Sequence, residues 1–206
     1  MGNPDPRAVE RYALFPLNLV LFPGGLLALR IFEPRYLRMV SECLRQQQPF
    51  VVAAIVDGPE AGGAAETASC GTLARIIDWE QLEDGLLGLW CEGEEAVTLD
   101  GVQTEPDNLL RVAVVRRPEL APQPLPTQFG WMAELLDELL QRIGPPYDRL
   151  SLQHPGADHV SARLTELLPL PLAEKQRLFE MPDPVERLRR LAGLITPGAV
   201  DDAPPS

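Results

Sequence analysis

Lys175 is the only lysine among the 18 Lys and Arg residues of the chain, and His154 and His159 are its only histidines. Side chains able to act as general bases near neutral pH are therefore scarce before any spacing is considered. A phosphate-gripping P-loop needs G-x-x-x-x-G-K-[ST], in which the lysine reaches the phosphates. Lys175 stands in Ala173-Glu174-Lys175-Gln176 with no glycine loop before it, so an ATPase engine of that type is excluded. A Ser–Lys dyad would also have to use Lys175, and its charged surroundings, Glu174 and Arg177, predict a solvated, salt-bridging side chain instead. Both histidines fall in the polar stretch Ser151–His159, with only Ser151 and Ser161 as nearby hydroxyls. No G-x-S-x-G elbow accompanies them, so the nucleophile, base and orienter of a hydrolase are not assembled, and solvated loop histidines are expected.

Metal chemistry fares no better. Cys43, Cys70 and Cys91 are 27 and 21 residues apart, without a C-x-x-C pair, and the histidines lie far off in sequence. A structural zinc site wants paired ligands at short spacing. Apolar neighbours make each thiol a small hydrophobe, and the odd count fits a reducing compartment. The carboxylate pairs Glu94-Glu95 and Asp201-Asp202 read as solvated. No enzyme activity, cofactor or metal is expected. The charge narrows the partners further: 30 acidic residues against 18 basic ones give −12 and a pI near 4.6. A nucleic-acid binder needs a positive footprint on the phosphates, which this chain lacks overall. Met1 to Glu10 has neither a basic nor an apolar signal region, and no run is apolar enough to span a bilayer, so a cytoplasmic chain without a membrane partner is expected.

The elements that must position any site fall into two kinds. Up to about residue 117 lie short runs rich in Val, Ile, Leu and Trp, separated by Gly, Pro and acidic turns. Strands are predicted at 12–15, 26–31, 50–56, 72–79, 86–92, 95–99 and 110–116. Glu92-Gly93-Glu94 reads as a tight hairpin, and Glu83-Asp84-Gly85 as a second reversal. One helix interrupts them: Glu33 serves its start, Pro34 fits its first position, and Tyr36, Leu37, Val40, Cys43 and Leu44 form its apolar stripe. Many short strands with one early helix point to a small barrel. The loop 57–69 reads as mobile. Residues 118–126 form a Pro-rich, stiff linker. Beyond it four helices are predicted, the first capped by Thr127 and stopped at Gly144-Pro145-Pro146, the second capped by Asp158, the third over 173–180, and the fourth capped by Asp183 with Pro184 following. The tail 197–206 is Pro- and Asp-rich and reads as disordered.

The densest cluster of unusual residues is Leu14-Phe15-Pro16-Leu17-Asn18-Leu19-Val20-Leu21-Phe22-Pro23-Gly24-Gly25, followed by Leu29-Arg30-Ile31-Phe32-Glu33-Pro34-Arg35-Tyr36. It resembles the signature of the Lon protease N-terminal, or substrate-binding, domain family. Gly71-Thr72-Leu73-Ala74-Arg75-Ile76 leading to Trp79, Glu92-Gly93-Glu94, Leu168-Pro169-Leu170, Lys175-Gln176-Arg177-Leu178-Phe179-Glu180 and Arg187-Leu188 extend the resemblance in order along nearly the whole chain. It implies an α+β fold, a PUA-like β pseudobarrel with one inserted helix over 10–117, followed by a C-terminal helical bundle over 127–196. It also implies a stand-alone form, without the ATPase and peptidase domains of the full protease.

The function implied is a non-catalytic polypeptide- or protein-recognition module, possessing neither ATP hydrolysis nor peptide-bond cleavage. Its partners would be unfolded or extended polypeptide segments, or a partner protein. They would add to an exposed strand edge or enter a groove between barrel and helices. A PUA-like RNA-binding protein is the alternative from another class, and an adaptor or assembly subunit of a protease system is a third. Pro23-Gly24-Gly25 reads as a turn, Phe15, Phe22, Phe32 and Tyr36 as core, and Arg30, Glu33 and Arg35 as charge-assisted bonds at the helix start. The candidates for peptide or partner contact are Phe32, Arg35, Tyr36, Trp79 and Trp90.

Overall fold

The computed structural model describes residues 11–60, 65–118 and 121–195. They form two compact units divided between Glu119 and Leu120. The first contains β1 (Arg11–Leu17), β2 (Leu26–Ile31), α1 (Pro34–Gln46), β3 (Phe50–Asp57), β4 (Glu66–Thr67), β5 (Cys70–Gln81), β6 (Leu87–Thr104) and β7 (Leu110–Arg116). Strands β1, β7, β6, β5 and β3 follow one another in the sheet, and a parallel β1–β3 pairing closes them into a barrel. Its interior is filled by Tyr12, Leu14, Val51, Ala53, Leu73, Val97, Leu110 and Val112. Side chains alternate along a strand, so Ala13, Phe15, Leu17, Phe50 and Val52 point out of the barrel wall. They are nonetheless buried, because α1 and a three-stranded ribbon, β2–β6–β5, cover them with Tyr36, Met39, Val40, Leu27, Leu29, Leu89 and Cys91. Burial on both faces explains the nearly unbroken apolar runs of β1 and β3.

Strands β5 and β6 each serve both sheets. The predicted hairpin at Glu92-Gly93-Glu94 does not exist: β6 runs unbroken through it for 18 residues. Gly93 is needed for another reason. Its N–H donates to the Gly25 carbonyl at 2.9 Å and its carbonyl accepts from Gly24 N–H at 2.7 Å. A Cβ at Gly93 would come closer than 3.0 Å to the Phe22 carbonyl oxygen. The glycine lets the Phe22–Gly25 turn lie against the strand, a close approach that any side chain would block. The other predicted turns are present. Gly25 N–H closes on the Phe22 carbonyl at 3.0 Å, and Gly85, with φ of +82°, turns β5 into β6. Within 57–69, residues 66–67 pair with β3, whereas 61–64 lie outside the described residues, as does the tail 197–206.

Helix α1 begins at Pro34 as expected, but Glu33 does not cap it through its side chain. Glu33 accepts from Arg35 Nε at 2.9 Å instead. Arg30 takes no part there and pairs with Asp84 at the β5–β6 turn. The outer face of α1 is tied to the β6–β7 loop by Arg38, which pairs with Glu42, Glu105 and Asp107, while Arg111 pairs with Glu42 and Glu105. Hydrogen bonding from Arg38 holds the Glu105 carboxyl below the usual carboxylate range.

The second unit holds α2 (Gly130–Ile143), α3 (Ala157–Leu167), α4 (Leu172–Glu180) and α5 (Pro184–Leu194) around Phe129, Met132, Leu136, Leu140, Val160, Leu164, Leu178, Leu188 and Leu191. Asp183 caps α5, accepting from Val185 N–H at 2.8 Å, with Pro184 behind it. Two other predicted caps are corrected. Thr127 opens a short 3-10 turn ahead of α2, and α3 starts one residue before Asp158, capped by Gly156. There the Ala157 N–H donates to the Gln123 carbonyl at 2.9 Å, so a main-chain partner replaces the side-chain cap.

Neither Lys175 nor His159 is fully solvated. Lys175 is half-buried and its Nζ donates to the Glu166 carbonyl at 2.7 Å, at the C-terminal end of α3, where a cation complements unpaired carbonyls. His159 lies in α3, half-buried, with Nε2 at 2.8 Å from the Leu150 carbonyl. Burial is the main cause that pushes its pKa below the ordinary 6.5. The fold thus favours the neutral ring, while the unfolded chain takes up a proton near pH ~6.5. This contribution to stability is complete above that pH and is lost as pH falls through the depressed folded value. Thermal melts should show the helical unit's midpoint falling by a few degrees between pH 7.5 and 5.5, and a smaller fall in His159→Gln. Equal falls in both proteins would rule the ring out as the source.

Candidate functional site

The ribbon β2–β6–β5 and the start of α1 hold all five candidate residues, and the register decides what each can reach. Trp79 on β5 sits opposite Leu89 on β6, which sits opposite Leu29 on β2. Residues directly opposite share a face, so Trp79 belongs to the face that covers the barrel wall. At the ribbon's edge it remains 58% exposed. Trp90 is the next residue after Leu89 and therefore points to the other face, half-buried between Ala28 and Asp78 in the adjacent strands. The two tryptophans cannot form one platform. What separates them from a simple alternating reading is Ile77, an extra residue where the β5–β6 register shifts between Ile76 and Asp78. Such a bulge exchanges the two faces of the strand beyond it.

Phe32 follows β2 directly and is 60% exposed, so the core assignment fails for it while holding for Phe15, Phe22 and Tyr36. Arg35 and Tyr36 are built into the fold. Arg35 is 8% exposed, donates to Glu33 and, through Nη1, to the Asn108 carbonyl at 3.0 Å, and lies 4.5 Å over the Tyr36 ring. Tyr36 is 4% exposed and packs 4.0 Å from Phe15 between ring centres. Burial pushes its phenol up to about 12, against the opposing pull of Arg35. Neither side chain is free to meet a ligand. Leu37 and Leu44 were predicted within the core stripe of α1, yet both stay exposed, seven residues apart on one flank of the helix. Their signal in the sequence was a stripe wider than the core needs.

Chemistry is sparse around these residues. All three cysteines are buried thiols, and burial raises Cys43 to about 11 and Cys91 to about 12, far from a reactive thiolate. Among the described residues no three His, Cys, Asp or Glu side chains are grouped to hold a metal ion. An open cavity of about 480 Å³ at one end of the barrel is bordered by Gln46–Gln48, Glu94, Glu95 and Arg116. Arg116 is paired with Glu95, and Arg75 with Glu94. Carboxamides and ion-paired carboxylates of this kind, with the Tyr12 phenol beside them, can hold polar groups. Of the five candidates, Phe32 and Trp79 are the ones that present accessible apolar surface.

Comparison with known proteins bears on both units. The sequence model of the ATP-dependent protease La (LON) substrate-binding domain matches residues 11–196. Lon protease 1 of Sorangium cellulosum is 33% identical over 91% of this chain, a stretch covering 24% of that protein. The chain therefore spans about a quarter of the length of such full proteases. The crystal structure of a Lon N-terminal domain protein from Xanthomonas campestris superposes with a TM-score of 0.73 at 30% identity, covering 91% of this chain and 100% of that one. The N-terminal domain of Lon protease from the Mycobacterium avium complex shares the fold, with a TM-score of 0.65 at 17% identity over 89% of this chain and 97% of that one.

Proposed function

Because this chain belongs to the ATP-dependent protease La (LON) substrate-binding domain family, we propose that it recognises unfolded or extended polypeptide segments and performs no chemistry on them. The observation that carries the reading is the family match, which runs through the barrel and the helices alike, from 11 to 196. The exposed side chains of Phe32, Trp79, Leu37 and Leu44 on the first unit supply the means. Completing the burial of one such side chain is worth about 1–2 kcal/mol. Several together give a modest affinity once the ordering of a flexible client is deducted. The acidic surface favours clients that are basic as well as apolar. Such segments are what protein quality control presents, and reduced, buried cysteines suit a cytoplasmic setting. Delivery of the bound segment to a protease is the role that fits a recognition module of this family.

Fluorescence anisotropy with labelled, reduced and carboxamidomethylated lysozyme, an unfolded chain that is basic as well as apolar, tests this directly. Binding in the micromolar range is expected, without cleavage whether or not ATP is present. Phe32→Ser and Trp79→Ser should each weaken it by about five- to ten-fold, equivalent to ~1–1.4 kcal/mol, with unchanged melting behaviour. No binding at ~100 µM protein, where even weak recognition registers, would overturn the proposal. So would cleavage that purifies with the chain.

A further inference from the structure

On the recognition role proposed above, we infer that an extended client adds as a fourth strand along the outer edge of β2, beside Leu26, Ala28 and Arg30, and not along β5. Two hydrogen bonds at opposite ends of the ribbon fix which way the backbone groups point. Gly93 N–H donates to Gly25 on the β2 side at 2.9 Å, and the Leu86 carbonyl accepts from Leu82 on the β5 side at 2.8 Å. Successive residues of a strand direct their N–H and C=O to opposite sides. Odd-numbered residues of β6 between 87 and 93 therefore face β2, and even-numbered ones face β5. With the observed register, Leu27, Leu29 and Ile31 exchange bonds with Cys91, Leu89 and Leu87. Leu26, Ala28 and Arg30 turn their N–H and C=O away from the sheet. No described strand pairs with that side of β2, and Ala28 and Arg30 are exposed.

The same count applied to β5 gives a different edge. Asp78 and Glu80 bond to Trp90 and Gly88, so Trp79 and Gln81 face outward. The Trp79 N–H is already taken, donating to Asp78 Oδ1 at 2.8 Å. The bulge at Ile77 twists the strand, and Asp78 and Glu80 put charge beside it. Capping, bulging and charging are the devices by which edges resist strand addition. Edge β2 has no bulge and no proline, and its one charged side chain, Arg30, is held by Asp84.

The occupant follows from the two faces. A strand beside β2 lays one set of alternate side chains along the apolar row Leu27, Leu29, Ile31, with Phe32 just beyond its end, and the other set beside Ala28 and Arg30. Carboxylates Asp78, Glu80, Glu83, Asp84 and Glu92 outnumber Arg30 and Arg75 on the ribbon and its turn, within a chain of charge −12. The fitting client is an extended segment that alternates apolar residues with lysine or arginine.

Ala28→Pro tests this, because the N–H that proline removes is not used within the ribbon and an edge strand tolerates the change. The probe is a fluorescein-labelled peptide of alternating valine and lysine. Ala28→Pro should bind it about ten-fold or more weakly with a melting temperature near that of the parent protein, while Gln81→Pro on β5 should bind it as the parent does. Hydrogen exchange on the parent protein gives a reading independent of the variant's folding: the amides of Ala28 and Arg30 should slow when the peptide is added. Unchanged affinity in Ala28→Pro, or unchanged exchange at a saturating peptide concentration, overturns the inference while leaving the recognition role standing. Protection of these amides in the free protein overturns it as well, in favour of another segment of the chain, or of a second copy if the protection rises with protein concentration. Failure of the parent protein to bind any unfolded polypeptide overturns the recognition role itself.

Discussion

Replacing Gly71 by alanine is expected to lower the melting temperature of the barrel by about 10–20 °C, corresponding to ~3 kcal/mol or more at several degrees per kcal/mol. A Cβ at this position would lie closer than 3.0 Å to the Val52 carbonyl oxygen and tight against the Ala53 Cβ. The obstacle is backbone, so relief requires β3 and β5 to separate where Val52 faces Thr72 in the ladder. That shift would also disturb buried Thr72, whose hydroxyl donates to the Leu21 carbonyl and pins the irregular 18–25 segment. Overpacking of this kind cannot be absorbed by a rotamer change. Gly193→Ala is the contrast: nothing lies within 4 Å of its Cβ position, the residue is helical, and alanine there should be neutral or stabilising by up to ~1 kcal/mol. Circular dichroism melts of the two variants measure the difference. A Gly71→Ala midpoint unchanged from the parent would mean that the close approach is not real.

Arg187→Ala should be the most damaging single change in the helical unit, at about 3 kcal/mol. The side chain is only 7% exposed. It donates through Nε to the Leu178 carbonyl at 2.9 Å, through Nη1 to Ser161 Oγ at 3.0 Å and through Nη2 to the Met181 carbonyl at 2.7 Å. One guanidinium thus joins α5 to α3 and to the C-terminal end of α4, where cations are favoured. Truncation leaves buried acceptors without these donors and opens a void. A unit of this size holds only several kcal/mol in total, so the loss should bring its unfolding close to physiological temperature while the barrel stays folded. Backbone amide spectra of Arg187→Ala and Arg187→Met separate the causes. If methionine restores the helical unit fully, packing alone carried the effect and the hydrogen bonds did not.

Much of the architecture was legible because its signals are local. Prolines at 34 and 184, the turn glycines at 24 and 85 and the two periodicities mark elements that do not depend on distant partners. Gly93 misled because a glycine demanded by a neighbouring backbone looks identical, in sequence, to one demanded by a turn. Thr127 and Asp158 misled because main-chain geometry took the capping role from side chains suited to it. Lys175 and His159 looked solvated by their neighbours in sequence, whereas α3 and the Leu150 carbonyl become their neighbours only after folding. The candidate site was less legible still. Ile77 is one unpaired residue, yet it sets the faces of Trp79 and Trp90, and no pattern of residue types announces it. Arg35 and Tyr36 carried the strongest motif and proved to be scaffold. The open edge of β2 is a property of hydrogen-bond parity, which side chains do not encode.

The shared strand β6 has a mechanical corollary. Tension on a segment seated along β2 would pass through the ribbon's bonds to residues 87–91 of β6 and then along one covalent backbone into the barrel, where residues 97–100, 103 and 104 are paired with β7. The strand is continuous over that whole line. When the pull runs parallel to the strands, the bonds flanking β6 bear it together in shear, rather than opening one at a time like a zipper. A module made this way can hold a client under traction from elsewhere without itself being the first thing to unravel.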